Sequence, residues 1–242
     1  MDRRTYLGTA GITGLTSIAG CLGGTFGSDK GNGNGSENGS EGRGNSNTVL
    51  KPPERNLSEA SHPSYGDELP ALSLPDPLAG ETISTEQFEG ERAVLMTFVY
   101  TNCPDGVCPA LTLRLRRTQE VAAEEGFSDD IALLEMTFDP ERDTESKLRT
   151  FANEQGVDAE AENWHFLRPE TYDSAKEIMT EDIGLPFKKT DAEEYEDLEY
   201  IFPHFALILL ANERGIVERA YPKGSSIDPS TVVGDVETVV SE

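Results

Sequence analysis

Ala93-Val94-Leu95-Met96-Thr97-Phe98-Val99-Tyr100 runs directly into Thr101-Asn102-Cys103-Pro104-Asp105-Gly106-Val107-Cys108-Pro109, an unbroken apolar stretch followed by a loop with two cysteines. A continuous apolar run bounded by charge and by a Gly/Pro-bearing loop reads as a strand covered on both faces. Pro109 suits the first turn of a helix, and Leu111, Leu115, Thr118 and Ala122 then recur at helical spacing until Gly126 closes the segment. Only three cysteines occur in 242 residues, and the third, Cys21, lies far upstream. Two thiols where a strand meets a helix can exchange a disulfide, bind a soft metal or staple a turn. A staple across so few residues closes too small a loop to stabilise much, which favours a reactive pair.

Downstream, Ile131 to Phe138 reads as a second strand, and Asp143 is placed to cap a helix in which Leu148, Phe151 and Ala152 share a face. Trp164 to Leu167 forms a short third strand, and Thr171 to Asp182 a third helix that stops before Gly184. Phe205 to Leu210 and Ile216 to Tyr221, joined through Asn212 and Gly215, predict a hairpin, and a last helix runs from about Pro229 to Val240. Strand, helix, strand, helix, hairpin and helix is the order of a thioredoxin-like α/β domain, a central mixed sheet flanked by helices.

Residues 1–21 read as an export signal rather than as part of a fold. Arg3-Arg4 precedes a weakly apolar run without acidic residues, which has twin-arginine form. The run ends in Ile18-Ala19-Gly20-Cys21, small residues before a cysteine suited to lipid attachment. The run is too short to span a bilayer as a helix. The expectation is a protein exported by the twin-arginine route and lipid-anchored to the outer face of the cell membrane, where disulfides persist. Residues 22–60, dominated at first by Gly, Ser and Asn, predict a flexible tether with a reach on the order of 30 Å. Residues 61–242 form the globular domain.

Charge narrows the partners. Forty-five acidic residues against 20 basic ones give a net charge of −25, spread along the domain. This argues against nucleic acid as a partner and for adaptation to high salt, where screening relieves self-repulsion.

The loop's chemistry follows from its place in the fold. Cys108 is expected at the cap position of the Pro109 helix, where free N–H groups and the helix dipole lower a thiol pKa, with Cys103 near enough to pair with it. His204, in Phe202-Pro203-His204, precedes a strand whose start lies beside this loop in a thioredoxin-like sheet. Two sulfurs and an imidazole suit copper in either oxidation state, Cu+ or Cu2+. His62 falls in the lead-in to the domain, and His165, beside Trp164, reads as packing.

Tyr100-Thr101-Asn102-Cys103-Pro104-Asp105, Val107-Cys108-Pro109, Asp139-Pro140-Glu141-Arg142-Asp143-Thr144, and then His204 ahead of the Gly215 turn together resemble the Sco/SenC family, over roughly Ala71 to the carboxyl end. The resemblance implies a membrane-tethered, thioredoxin-like protein that binds copper through Cys103, Cys108 and His204. Its implied partner is the copper-bearing subunit of cytochrome c oxidase, whose assembly it assists, or another copper or thiol partner. The segment Asp139 to Asp143 is implied to shape the site rather than to ligate. The alternative is a thiol-disulfide oxidoreductase in which Cys103 and Cys108 form the redox pair and keep a partner's cysteines reduced. The chain departs from the family pattern in placing four residues between the cysteines instead of three, with Gly106 the added one, and in carrying Pro203 where an acid is usual beside the histidine.

Overall fold

A computed structural model describes residues 47–185, 187–193, 195, 197–203 and 205–242. Its centre is a five-stranded sheet built on β3 (Ala93–Val99), every residue of which is buried. β4 (Ile131–Thr137) lies parallel to β3, with Ala93 opposite Ile131 and Val99 opposite Thr137. β5 (Trp164–Leu167) adds in parallel on the far side of β4. On the other side of β3 run β8 (Ile208–Ala211), antiparallel, and β9 (Val217–Tyr221), giving the order β5-β4-β3-β8-β9. Continuous apolar runs belong in central strands because both faces are covered. Thr97, the one polar residue of β3, satisfies its hydroxyl on the Leu207 carbonyl at 2.8 Å.

α1 (Val107–Glu125) packs on β3 and β4 through Cys108, Leu111, Thr112, Leu115, Thr118 and Ala122, the spacing expected of one buried helical face. It also meets α4 (Pro229–Val240), which begins with Pro229 after an Asp228 cap. α2 (Glu145–Gln155) follows β4, and α3 (Tyr172–Glu177) follows β5 and continues into a π turn over Ile178–Asp182. The mixed sheet flanked by helices agrees with the expected architecture.

Two local expectations are corrected. The cap of α1 is Gly106, not Cys108, and the helix starts at Val107, two residues before Pro109. Gly106 sits at φ 77°, a left-handed conformation that glycine adopts without a Cβ penalty. The cap of α2 is Thr144, whose hydroxyl accepts from Lys147 N; Asp143 is fully buried and committed to other donors.

Two features were not read from the sequence. A hairpin of β1 (Ser73–Asp76) and β2 (Glu81–Ser84) lies beside β5, to which Arg168 N ties the Pro75 carbonyl at 2.9 Å. A small excursion pairs β6 (Thr190–Asp191) with β7 (Tyr200–Ile201). Upstream, Asn47 to Leu50 is pinned to β9, where the fully buried Glu218 accepts from Val49 N (2.7 Å), Leu50 N (2.9 Å) and Asn212 Nδ2 (2.6 Å).

Candidate dithiol site

The site forms where β3 and β4 end side by side. Tyr100, wholly buried, leaves β3, and the chain is then caught by the loop after β4. Thr101 donates its hydroxyl to Asp143 Oδ1 at 2.6 Å and its amide to Asp143 Oδ2 at 3.1 Å, while Thr137 donates to the same Oδ2 at 2.5 Å. Burial pushes the Asp143 carboxyl up to about 6, against the pull of these donors. Arg168 in turn holds the loop, donating to the Asp143 and Pro140 carbonyls at 2.8 and 2.6 Å. The acidic segment thus shapes the cysteine loop.

No disulfide joins Cys103 to Cys108. Cys103 is half-buried, whereas Cys108 is only 1 % exposed, against the core. Cys108 N donates to Cys103 Sγ at 3.2 Å, and Tyr100 N donates to Cys108 Sγ at 3.5 Å. Asp105 Oδ1 lies 3.3 Å from Cys103 Sγ and accepts from Val107 N at 3.3 Å. The lowered pKa expected at Cys108 is not found. Desolvation first, and then the neighbouring Cys103, drive its thiol well above the ordinary range. Because the helix begins at Val107, Cys108 falls inside its first turn and the amide there serves Cys103 instead.

An aromatic wall stands beside this loop. Tyr100 packs on Phe138 and Phe202, ring centroids 5.3 Å apart in each case, and Phe187 joins them at 5.4 Å from both phenylalanines. The Arg142 guanidinium lies 3.8 Å from the Tyr200 ring centre, pairs with Asp139 at 2.5 Å and donates to the Tyr200 carbonyl at 2.9 Å. Lys189 bridges to Glu141 and lies over the Tyr172 and Tyr200 rings. Arg142 and Lys189 thereby fasten the β6–β7 excursion, and with it Phe202, to the segment after β4.

His204 and Cys21 lie outside the described residues. Among the described residues no group of three or more His, Cys, Asp or Glu side chains is gathered to hold a metal ion, and no helix is long and apolar enough to cross a membrane. His62 meets the Pro63 carbonyl, and His165 lies in β5 against Asp76 and the Phe88 ring. Sequence reasoning missed Glu135, a wholly buried carboxylate in β4 that meets the Thr112 hydroxyl at 2.7 Å. Its signal was one acid inside Ile131 to Phe138, the apolar run after α1.

Solved structures with this architecture include a SCO1/SenC family lipoprotein from Bacillus anthracis, 20% identical over 72% of this chain and 95% of that one, with a TM-score of 0.56. BsSco, described as having a disulfide switch and as a member of the Sco family of cytochrome c oxidase assembly proteins, is 21% identical over 74% of this chain and 96% of its own, with a TM-score of 0.58. ScoI of Bradyrhizobium japonicum, solved with copper bound, is 20% identical over 73% and 99%, with a TM-score of 0.51. These likenesses establish the thioredoxin-like fold. No curated protein sequence matches the chain. The SCO1/SenC family model matches residues 77–241, which takes in the whole central sheet, both site cysteines and the acidic segment that holds them, and the chain therefore belongs to the SCO1/SenC family.

Proposed function

We propose that this protein binds copper through Cys103, Cys108 and His204 and passes it to a partner's copper site, the copper-bearing subunit of cytochrome c oxidase being the partner implied by the family. The observation that carries the reading is the pair of cysteines on one braced loop, Cys103 half-buried and Cys108 buried against the core, linked by the Cys108 amide. Two thiols are the right donors for a soft, reduced cation. The chain flanking His204 supports the third ligand: Phe202 packs on Tyr100, and the Leu207 carbonyl accepts from Thr97 near the end of β3. Solved relatives supply the analogy, since Sco proteins of Bradyrhizobium japonicum and Arabidopsis thaliana have been determined with copper bound. The arginine pair, the small residues before Cys21 and Cys21 itself support export and lipid anchoring at the outer membrane face.

The test is titration of the reduced protein with Cu(I) against a chromophoric chelator. One equivalent should be retained by the wild type and lost in Cys103→Ser, Cys108→Ser and His204→Ala. Retention in all three variants overturns the assignment.

The unequal exposure of the two sulfurs favours a second reading, dithiol chemistry. Cys103 attacks one sulfur of a partner's disulfide and releases the other as a thiol; Cys108 then attacks Cys103, freeing the partner's second thiol. The partner gains two electrons, and the pair is left as a disulfide. This exchange would survive His204→Ala, whereas copper retention would not.

A further inference from the structure

The dithiol turn has a partner that neither reading uses. Glu135 lies in β4 with 0 % exposure. Its neighbours across the strands are Thr97 of β3 and Phe166 of β5, neither of them charged. The titratable groups that bear on it are the Cys108 thiol of α1 and the Asp143 carboxyl in the loop after β4. No described cation pairs with it, and its Oε2 has no hydrogen-bond partner among the described residues.

The hydrogen-bond geometry bears on the protonation state of this side chain. Thr112 Oγ1 stands 2.7 Å from Glu135 Oε1 and 3.1 Å from the Cys108 carbonyl oxygen. A hydroxyl has one proton to give. If Glu135 were a carboxylate, both neighbours of the hydroxyl would be acceptors competing for that proton. If Glu135 is the acid, it donates to Thr112, Thr112 donates to Cys108, and every contact is a hydrogen bond. The acid also avoids an unpaired charge in an apolar core, which costs far more than an unpaired neutral oxygen.

We propose that Glu135 is a positioning residue of the dithiol loop, held as an un-ionised carboxylic acid that acts through the Thr112 hydroxyl to fix the Cys108 carbonyl and the first turn of α1. Burial, the largest influence, pushes its carboxyl up to about 8. The arrangement orients Cys108 behind Cys103 and keeps a further negative charge away from two sulfurs that must become anionic to work.

The role stands or falls without copper, so its failure is separable from failure of the metal reading. Infrared spectra of the reduced, metal-free protein at pH 7 should show a carboxylic-acid carbonyl band that is absent from Glu135→Gln. In a Cys103→Ser background, alkylation of Cys108 by a small maleimide reports how firmly the turn is held. Glu135→Gln, whose amide N–H donates to Thr112 as the acid does, should react at the parent rate at pH 7. Thr112→Val and Glu135→Leu should each react about five-fold faster or more, the factor expected from one lost hydrogen bond. Absence of the acid band overturns the proposal, as does a Gln variant as fast as the Leu variant. Should Glu135→Leu fail to fold, Thr112→Val alone decides, because unchanged alkylation there also overturns it.

Discussion

Thr101 hangs from Asp143: the first residue of the cysteine loop gives both its amide and its hydroxyl to one carboxylate on the far side of the β3–β4 boundary. The loop's position is therefore set by a residue 42 places away in the chain. Removing the acceptor strands three donors, the Thr137 hydroxyl buried and the two of Thr101 partly so. Asp143→Ala should cost about 2–4 kcal/mol in urea unfolding, since each orphaned buried donor costs about 1–3 kcal/mol and some will find water. A loss under about 0.5 kcal/mol, the level of an ordinary surface substitution, would refute this role.

The same carboxyl and Glu135 make stability depend on pH in an uncommon direction. Both hold their protons more firmly when folded, Asp143 to about 6 and Glu135 to about 8. Over the range where the unfolded chain has ionised and the native one has not, the native state binds more protons. Stability is then fully present below the unfolded carboxyl values near 4 and falls as pH rises toward 8, by at most about 1.4 kcal/mol per pH unit per group. Urea midpoints measured across pH 4–9, with both site cysteines as serine, should show this decline in the parent and a shallower one in Glu135→Gln. Equal slopes would remove Glu135 from the balance.

Gly106 allows a clean backbone experiment. A Cβ built there meets nothing within 4 Å, so alanine would be opposed only by the left-handed φ of 77°. Gly106→Ala should destabilise the reduced protein by about 1–2 kcal/mol, and Gly106→Asn by less. Calorimetry on the two variants checks the order; alanine as stable as glycine would mean that α1 can start elsewhere.

Alkylation followed by mass analysis should separate the thiols. In the native reduced protein Cys103 should be modified first, and Cys108, 1 % exposed, should react only on opening or unfolding. Parallel modification of the two would contradict the buried position of Cys108.

Glu218 holds Asn47 to Leu50 against β9 through two amides and Asn212. Glu218→Ala should release them. Hydrogen exchange at the Val49 and Leu50 amides should then accelerate by about one to two orders of magnitude, given roughly 1.5–3 kcal/mol for each such hydrogen bond. Unchanged protection would show that Leu50 packing alone holds the segment.

Much of this was legible beforehand, for particular reasons. The run Ala93 to Tyr100 has no charge and only one threonine before Tyr100, and so reads as a strand covered on both faces. The spacing of Leu111, Leu115, Thr118 and Ala122 specified the inner face of α1. Asp143 misled because an acid ahead of a helix resembles a cap, and only the nearness of Thr101 and Thr137 outbids the helix amides for its oxygens. The β1–β2 hairpin and the β6–β7 excursion carry short, mixed-polarity strands, which leave little periodicity to read.

Apolar patterning and the placing of glycine and proline determined the order of elements, the central strand and the presence of two thiols at its end, because those depend on near neighbours in the chain. Which thiol is buried, which amide serves which sulfur, and which acid keeps its proton were decided only by folding. Desolvation and hydrogen-bond competition act between residues brought together from β3, β4 and α1, and no local stretch of sequence contains that meeting.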